Sequence, residues 1–123
     1  MVLDIDAAVK YLKENAEPRS MGRCATYVRK ALQAGGLDMS SWPVSAKDYG
    51  RFLKPLGLRS ICLKNYLPTK GDIVIIQPYL GGGVHGHIAM YDGTQWISDF
   101  KQRDMWGGPG YRTNQPAYEV YRR

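Results

Sequence analysis

Asp72-Ile73-Val74-Ile75-Ile76-Gln77, then His87-Ile88-Ala89-Met90-Tyr91, then Gln95-Trp96-Ile97-Ser98-Asp99 are the runs that decide the fold. Each is short, rich in β-branched or aromatic residues, and set off from the next by Gly, Pro, Asn or Asp, which is the pattern of strands joined by turns. Two flanking runs, 60–63 and 118–121, read the same way. No helical stretch lies between consecutive runs to make a parallel crossover, so the strands are expected to pair antiparallel.

Upstream the period changes from two to about 3.6. Over 4–16, Ile5, Ala8, Val9, Leu12 and Ala16 form one apolar stripe, with Asp residues at the start and Pro18 beyond the end. Over 22–34, Cys24, Tyr27, Val28, Ala31 and Leu32 form another; Ser20 is the expected cap and Gly35-Gly36 the left-handed stop. A third helix is expected from Ser45 to Leu56, ended by Gly57. Helices first and strands after define an α+β domain, an antiparallel sheet with the early helices packed on one face. At 123 residues there is room for one core, so residues 1–123 are read as one domain.

A net charge of +6 favours polyanionic partners, but the basic residues form no run and no RNA-binding signature, so no nucleic acid is expected. The longest aliphatic run, Ile73–Ile76, is far too short to cross a bilayer, and no membrane insertion is expected. Met1-Val2-Leu3-Asp4-Ile5-Asp6 lacks the basic start and apolar stretch of a signal peptide, so synthesis in the cytoplasm without a secretory signal is expected. The two cysteines, Cys24 and Cys62, fit neither a disulfide framework nor a zinc site; no metal and no cofactor are expected.

Cys24 falls in the opening turn of the second helix, where unpaired N–H groups and the dipole stabilise a thiolate, and Arg19 and Arg23 push the thiol pKa the same way. The competing reading is a small core residue on the apolar stripe. His87 leads its strand out of a Gly-rich loop and shares a face with Ala89 and Tyr91. His85 reads as a solvated loop residue that contacts substrate at most. Cys62, in an apolar run with no acid or base beside it, reads as core filler. Asp72 and Asp92 read as structural turn residues.

The segments Pro68-Thr69-Lys70-Gly71-Asp72-Ile73-Val74-Ile75-Ile76, Gly86-His87-Ile88-Ala89-Met90-Tyr91 and Gln95-Trp96-Ile97-Ser98 resemble the central β-hairpin of NlpC/P60 and CHAP cysteine peptidases. Gly22-Arg23-Cys24-Ala25 at a helix head resembles their nucleophile motif. The resemblance spans most of the chain and implies a papain-like core, with Cys24 as nucleophile, His87 as base and a polar residue on the next strand orienting the imidazole. For that residue a tight Asp92-Gly93 turn would set Ser98 opposite His87, and a loop one residue longer would set Asp99 there. The chemistry of holding an imidazolium favours the Asp99 carboxylate. The Gly-rich segment 101–112 is expected to lack regular structure; Trp106 and Tyr111 within it either contact substrate or cover the sheet.

The resemblance implies a peptidoglycan amidase or endopeptidase acting on the stem peptide or its cross-link. Type VI secretion amidase effectors are similar in length and in this Cys-His layout, which implies delivery to the periplasm of a target cell, antibacterial action, a monomer and a cognate immunity protein. Alternatives are a phage-type lysin, a non-catalytic binding module, or a papain-like enzyme acting on a non-wall substrate.

Overall fold

Asp4 caps the first helix, its carboxylate accepting the N–H of Ala7 at 3.0 Å, and the computed structural model, which describes residues 2–123, places that helix, α1, at Ile5–Asn15. Helix α2 follows at Cys24–Ala34 and packs on α1 through Val28, Ala31 and Leu32, all buried, against Ala8, Val9 and Leu12. Its end is the expected one: Gly36 takes a φ of 95°, and the chain turns away with the N–H of Leu37 on the carbonyl of Leu32. Its start differs. Ser20 is exposed and caps nothing, and the helix begins at Cys24, the first residue of its apolar stripe and two residues later than expected.

The third helix is broken into a 3-10 turn at Ala46–Asp48, a single turn α3 at Gly50–Leu53 and a second 3-10 turn at Lys54–Leu56. Pro55, with no N–H to give, accounts for the tightened last turn, and Gly57 at φ 97° ends it as expected. The segment still delivers Ala46, Tyr49 and Leu53 to the core.

Five strands follow: β1 Arg59–Ser60, β2 Ile73–Ile76, β3 His87–Tyr91, β4 Trp96–Ile97 and β5 Tyr118–Arg122. They form one antiparallel sheet in the order β1-β5-β2-β3-β4. The fold class is α+β, with α1 and α2 packed on the sheet. β2 lies at the centre and is buried along its whole length, as its unbroken Ile-Val-Ile-Ile run demands.

Ile73, Ile75, Ile88, Met90, Ile97 and Tyr121 face the helices; Val74, Ile76, Ala89, Trp96 and Val120 face away. The second face is covered by Met105, Trp106, Tyr111 and Tyr118, from a segment expected to be irregular that contains a short helix, α4, at Pro109–Asn114. Pro109 in the first turn supplies the preset φ that the glycines around it lack. Cys62 is a second correction: the edge strand ends at Ser60, and Cys62 is exposed rather than core. Its neighbours Ile61 and Leu63 pack inward on the second face of the sheet, and Cys62 between them turns to solvent.

Candidate active site

The chain leading into α2 is held by a residue distant from it in sequence. One oxygen of the Asp99 carboxylate accepts the N–H of Met21 at 2.8 Å and of Arg23 at 2.9 Å, while the Asp99 carbonyl accepts the N–H of Glu17 at 2.7 Å. Gly22, between the two tethered amides, takes a φ of 68°. These bonds do the work of the missing side-chain cap and fix where Cys24, the first residue of α2, begins.

The Cys24 sulfur lies against the N–H of Ile88, the residue after His87, and against the N–H groups of Ala25 and Cys24 itself. Helix start and strand start therefore meet at one point. The thiol is not depressed as expected. Burial pushes it up, the Asp99 charge adds to this, and the three N–H groups only partly offset them. Arg19 and Arg23 are exposed, and the Arg23 guanidinium lies 5.9 Å from the Tyr27 ring centre instead of on the sulfur.

His87 is 9% exposed, and its Nε2 is 2.7 Å from the side-chain oxygen of Gln102. The Gln102 amide nitrogen donates to the carbonyls of Asp104 at 2.9 Å and Met105 at 3.3 Å, which leaves its oxygen to face the ring. An amide oxygen only accepts, so Nε2 carries the proton and Nδ1 is the basic atom. Burial holds the imidazole below its ordinary value, against the opposing effects of the Gln102 bond and the Asp99 charge. The Tyr111 ring lies 5.7 Å from the His87 ring.

Gln102 was invisible to the strand pattern because of two register effects. The turn after β3 is closed by the Asp92 N–H on the Gln95 carbonyl, so its central pair is Gly93-Thr94, one residue beyond the expected Asp92-Gly93. Pairing then runs Tyr91 with Trp96 and Met90 with Ile97, and neither Ser98 nor Asp99 comes opposite His87. β4 also stops after two residues. The chain reverses at 98–100, with the Ser98 N–H on the Phe100 carbonyl, and runs back so that Ile97 pairs Lys101 and the Gln102 N–H reaches the Trp96 carbonyl. That second reversal brings Gln102 to the imidazole and turns the Asp99 carboxylate toward the amides before α2. Asp99 thus makes no hydrogen bond to His87. The signal available in the sequence was the early return of polar residues after Ile97.

A cleft of about 220 Å³ opens over the thiol, lined by Gly22, Arg23, Cys24, Thr26, Val44 and His85 among others. His85 is held there by a 2.6 Å hydrogen bond between its Nδ1 and the Ser45 hydroxyl and by its carbonyl on the Lys47 N–H. Trp106 is elsewhere, edge-on to Tyr118 at 5.4 Å on the second sheet face. Tyr111 approaches His87 but does not line this cleft. Asp72 and Asp92 are structural: Asp72 accepts from Tyr66, Thr69 and Arg122, and Asp92 from Thr94 and Gln95. Among the described residues no cluster of three His, Cys, Asp or Glu is placed to hold a metal ion.

No family model and no curated protein matches the chain. Solved structures do. The chain is 47% identical to one from the native type VI effector–immunity complex Tae3–Tai3 of Ralstonia pickettii, with a TM-score of 0.88 over 98% of each chain. Against the selenomethionine form of that complex the identity is again 47%, the TM-score 0.85, and the coverage 94% of this chain and 98% of the other. Ly7917, at 14% identity and a TM-score of 0.55 over 94% of this chain and 61% of its own, shares the fold.

Proposed function

The chain belongs to the Tae3 family of type VI effectors, and from that premise we propose that it is an antibacterial peptidoglycan amidase or endopeptidase of the NlpC/P60–CHAP type, working through Cys24 and His87. Residues 1–123 act as one catalytic domain, delivered to the periplasm of a target cell. A cognate immunity protein that occludes the cleft is the expected partner, since both related structures are effector–immunity complexes.

The observation that carries the reading is the meeting of the Cys24 sulfur with the N–H of Ile88, the residue next to His87 at the start of β3, while Gln102 holds the proton of the His87 ring on Nε2. Thiol and imidazole both rest neutral near pH 7, so the thiolate forms as substrate is attacked: Nδ1 takes the thiol proton while sulfur adds to the amide carbonyl. The oxyanion is stabilised by the N–H groups at the start of α2, above all that of Cys24. The imidazolium then protonates the leaving amine, and water, deprotonated by the same Nδ1, hydrolyses the thioester. Asp99 acts at one remove, by holding the amides that place Cys24. His85 and the cleft wall at Val44 are the substrate contacts.

Purified sacculi incubated with the protein should release peptide fragments bearing a new amine and a new carboxyl end, read by mass spectrometry. Cys24→Ala should fold and release none. Equal release by this variant would sink the mechanism.

A further inference from the structure

The face of the sheet away from the helices is not merely covered by the segment 102–114; that segment touches the proposed base on three sides. Gln102 holds Nε2, Tyr111 lies against the ring, and Gly107 backs onto Nε2 so closely that an added Cβ would sit 2.8 Å from it and 3.1 Å from the Gln102 amide. Gly107 also has a φ of 82°, so the position is closed to side chains on two counts.

What keeps the segment in this shape is one carboxylate. Asp104 Oδ1 accepts the N–H of Trp106 and of Gly107, each at 3.1 Å, which winds 104–107 into a tight turn. Its Oδ2 takes the Arg112 Nε–H at 2.6 Å, and the Arg112 Nη2 reaches Oδ1 at 3.4 Å, so α4 is pinned to the turn by a forked ion pair. The two carbonyls that receive the Gln102 amide nitrogen, those of Asp104 and Met105, belong to this same turn.

We propose that the Asp104–Arg112 pair is a positioning device for the reaction: by fixing the two carbonyls it fixes which end of the Gln102 amide faces His87, and so which ring nitrogen carries the proton. An amide differs little in shape when turned end for end, so packing alone does not choose its orientation; hydrogen-bond partners do. With the turn loosened, the NH₂ end can face Nε2. That nitrogen must then accept, the proton moves to Nδ1, and the base has no lone pair for the thiol. The effect falls on the competent fraction of enzyme and not on substrate binding. This inference rests on the reading of His87 as base, with Nδ1 toward the thiol.

Arg112→Gln and Asp104→Asn are the variants, with Arg112→Lys as partial rescue and the exposed neighbour Arg103→Gln as a charge control. On a soluble stem peptide, kcat should fall about tenfold or more with KM within about twofold. Nitrogen-detected NMR of the folded proteins should show the His87 proton on Nε2 in the wild type and a new Nδ1–H population in the variants. Placed in a Gln102→Ala background, Arg112→Gln should cost nothing further, because the group it acts through is gone. A folded variant with the wild-type tautomer, or an equal loss in both backgrounds, would overturn the proposal. The tautomer is read without substrate, so it fails or stands independently of the wall-hydrolase reading.

Discussion

Asp99 is 1% exposed, and a single oxygen of its carboxylate serves two backbone amides. Asp99→Ala leaves both donors without a partner and is expected to cost about 1–3 kcal/mol, with activity lost as the start of α2 shifts. Asp99→Asn keeps a carbonyl oxygen for the same N–H groups and should stay within about 1 kcal/mol of wild type. Urea unfolding of both variants checks this, and equal losses would mean that the charge, not the hydrogen bonds, matters. His87 sets the pH behaviour. Its folded pKa is depressed, so between the ordinary imidazole value, about 6.5, and that lower value the unfolded chain binds a proton that the folded chain does not. Stability should fall as pH drops through that window, and kcat/KM should hold to lower pH than a free imidazole allows, until His87 is protonated. The raised thiol extends the plateau on the alkaline side, because Cys24 stays a neutral thiol to higher pH. A bell centred near 7 with an acid limb at or above 6.5 would contradict this.

Among the elements, β3 positions the proposed base, and its entry is closely packed against β2. Gly86 has a φ of 72°, and a Cβ there would meet the Ile76 carbonyl oxygen at 2.4 Å, a backbone atom that can retreat only by opening the β2–β3 ladder. Gly86→Ala is therefore expected to displace His87 and to cost about 1–3 kcal/mol of stability. Cys62→Ser, by contrast, should stay within about 0.5 kcal/mol, as exposed substitutions do, and thermal melts of the pair give the comparison. The elements that the sequence made legible were those whose pattern reflects burial: the stripes of α1 and α2, the run of β2, the alternation of β3. Cys24 and His87 could be singled out because each begins such an element. Gln102 could not, because its place depends on a turn one residue further along than the Asp-Gly pair suggested and on a reversal inside a predicted strand. Local propensity does not encode either, since both are fixed by partners distant in the chain. Cys62 misled for a related reason: a short apolar run does not show which of its residues turn inward, and here Ile61 and Leu63 do while Cys62 does not.

At the scale of the whole molecule, the C-terminal strand β5 is tied to the middle of the chain by charge as well as by the ladder. The Asp72 side chain is fully buried and accepts from Arg122 at 2.8 and 2.9 Å, from the Tyr66 hydroxyl at 2.7 Å and from the Thr69 N–H at 2.9 Å. Asp72→Ala removes the partner of two donors and of the partly exposed Arg122 and should destabilise the protein by about 2–4 kcal/mol, measurable as a lower urea midpoint with an unchanged slope. The same variant should show normal kcat per folded molecule, since nothing in this network touches the cleft. The reversal at 98–100 behaves otherwise. It sends Asp99 to the amides before Cys24 and Gln102 to the His87 imidazole, three residues apart in the chain. Lineages that diversify such a chain by insertion and deletion are free to do so at the exposed 80–84 loop, where Leu80 projects wholly into solvent, but a single residue gained or lost between Asp99 and Gln102 would put both supports out of phase at once.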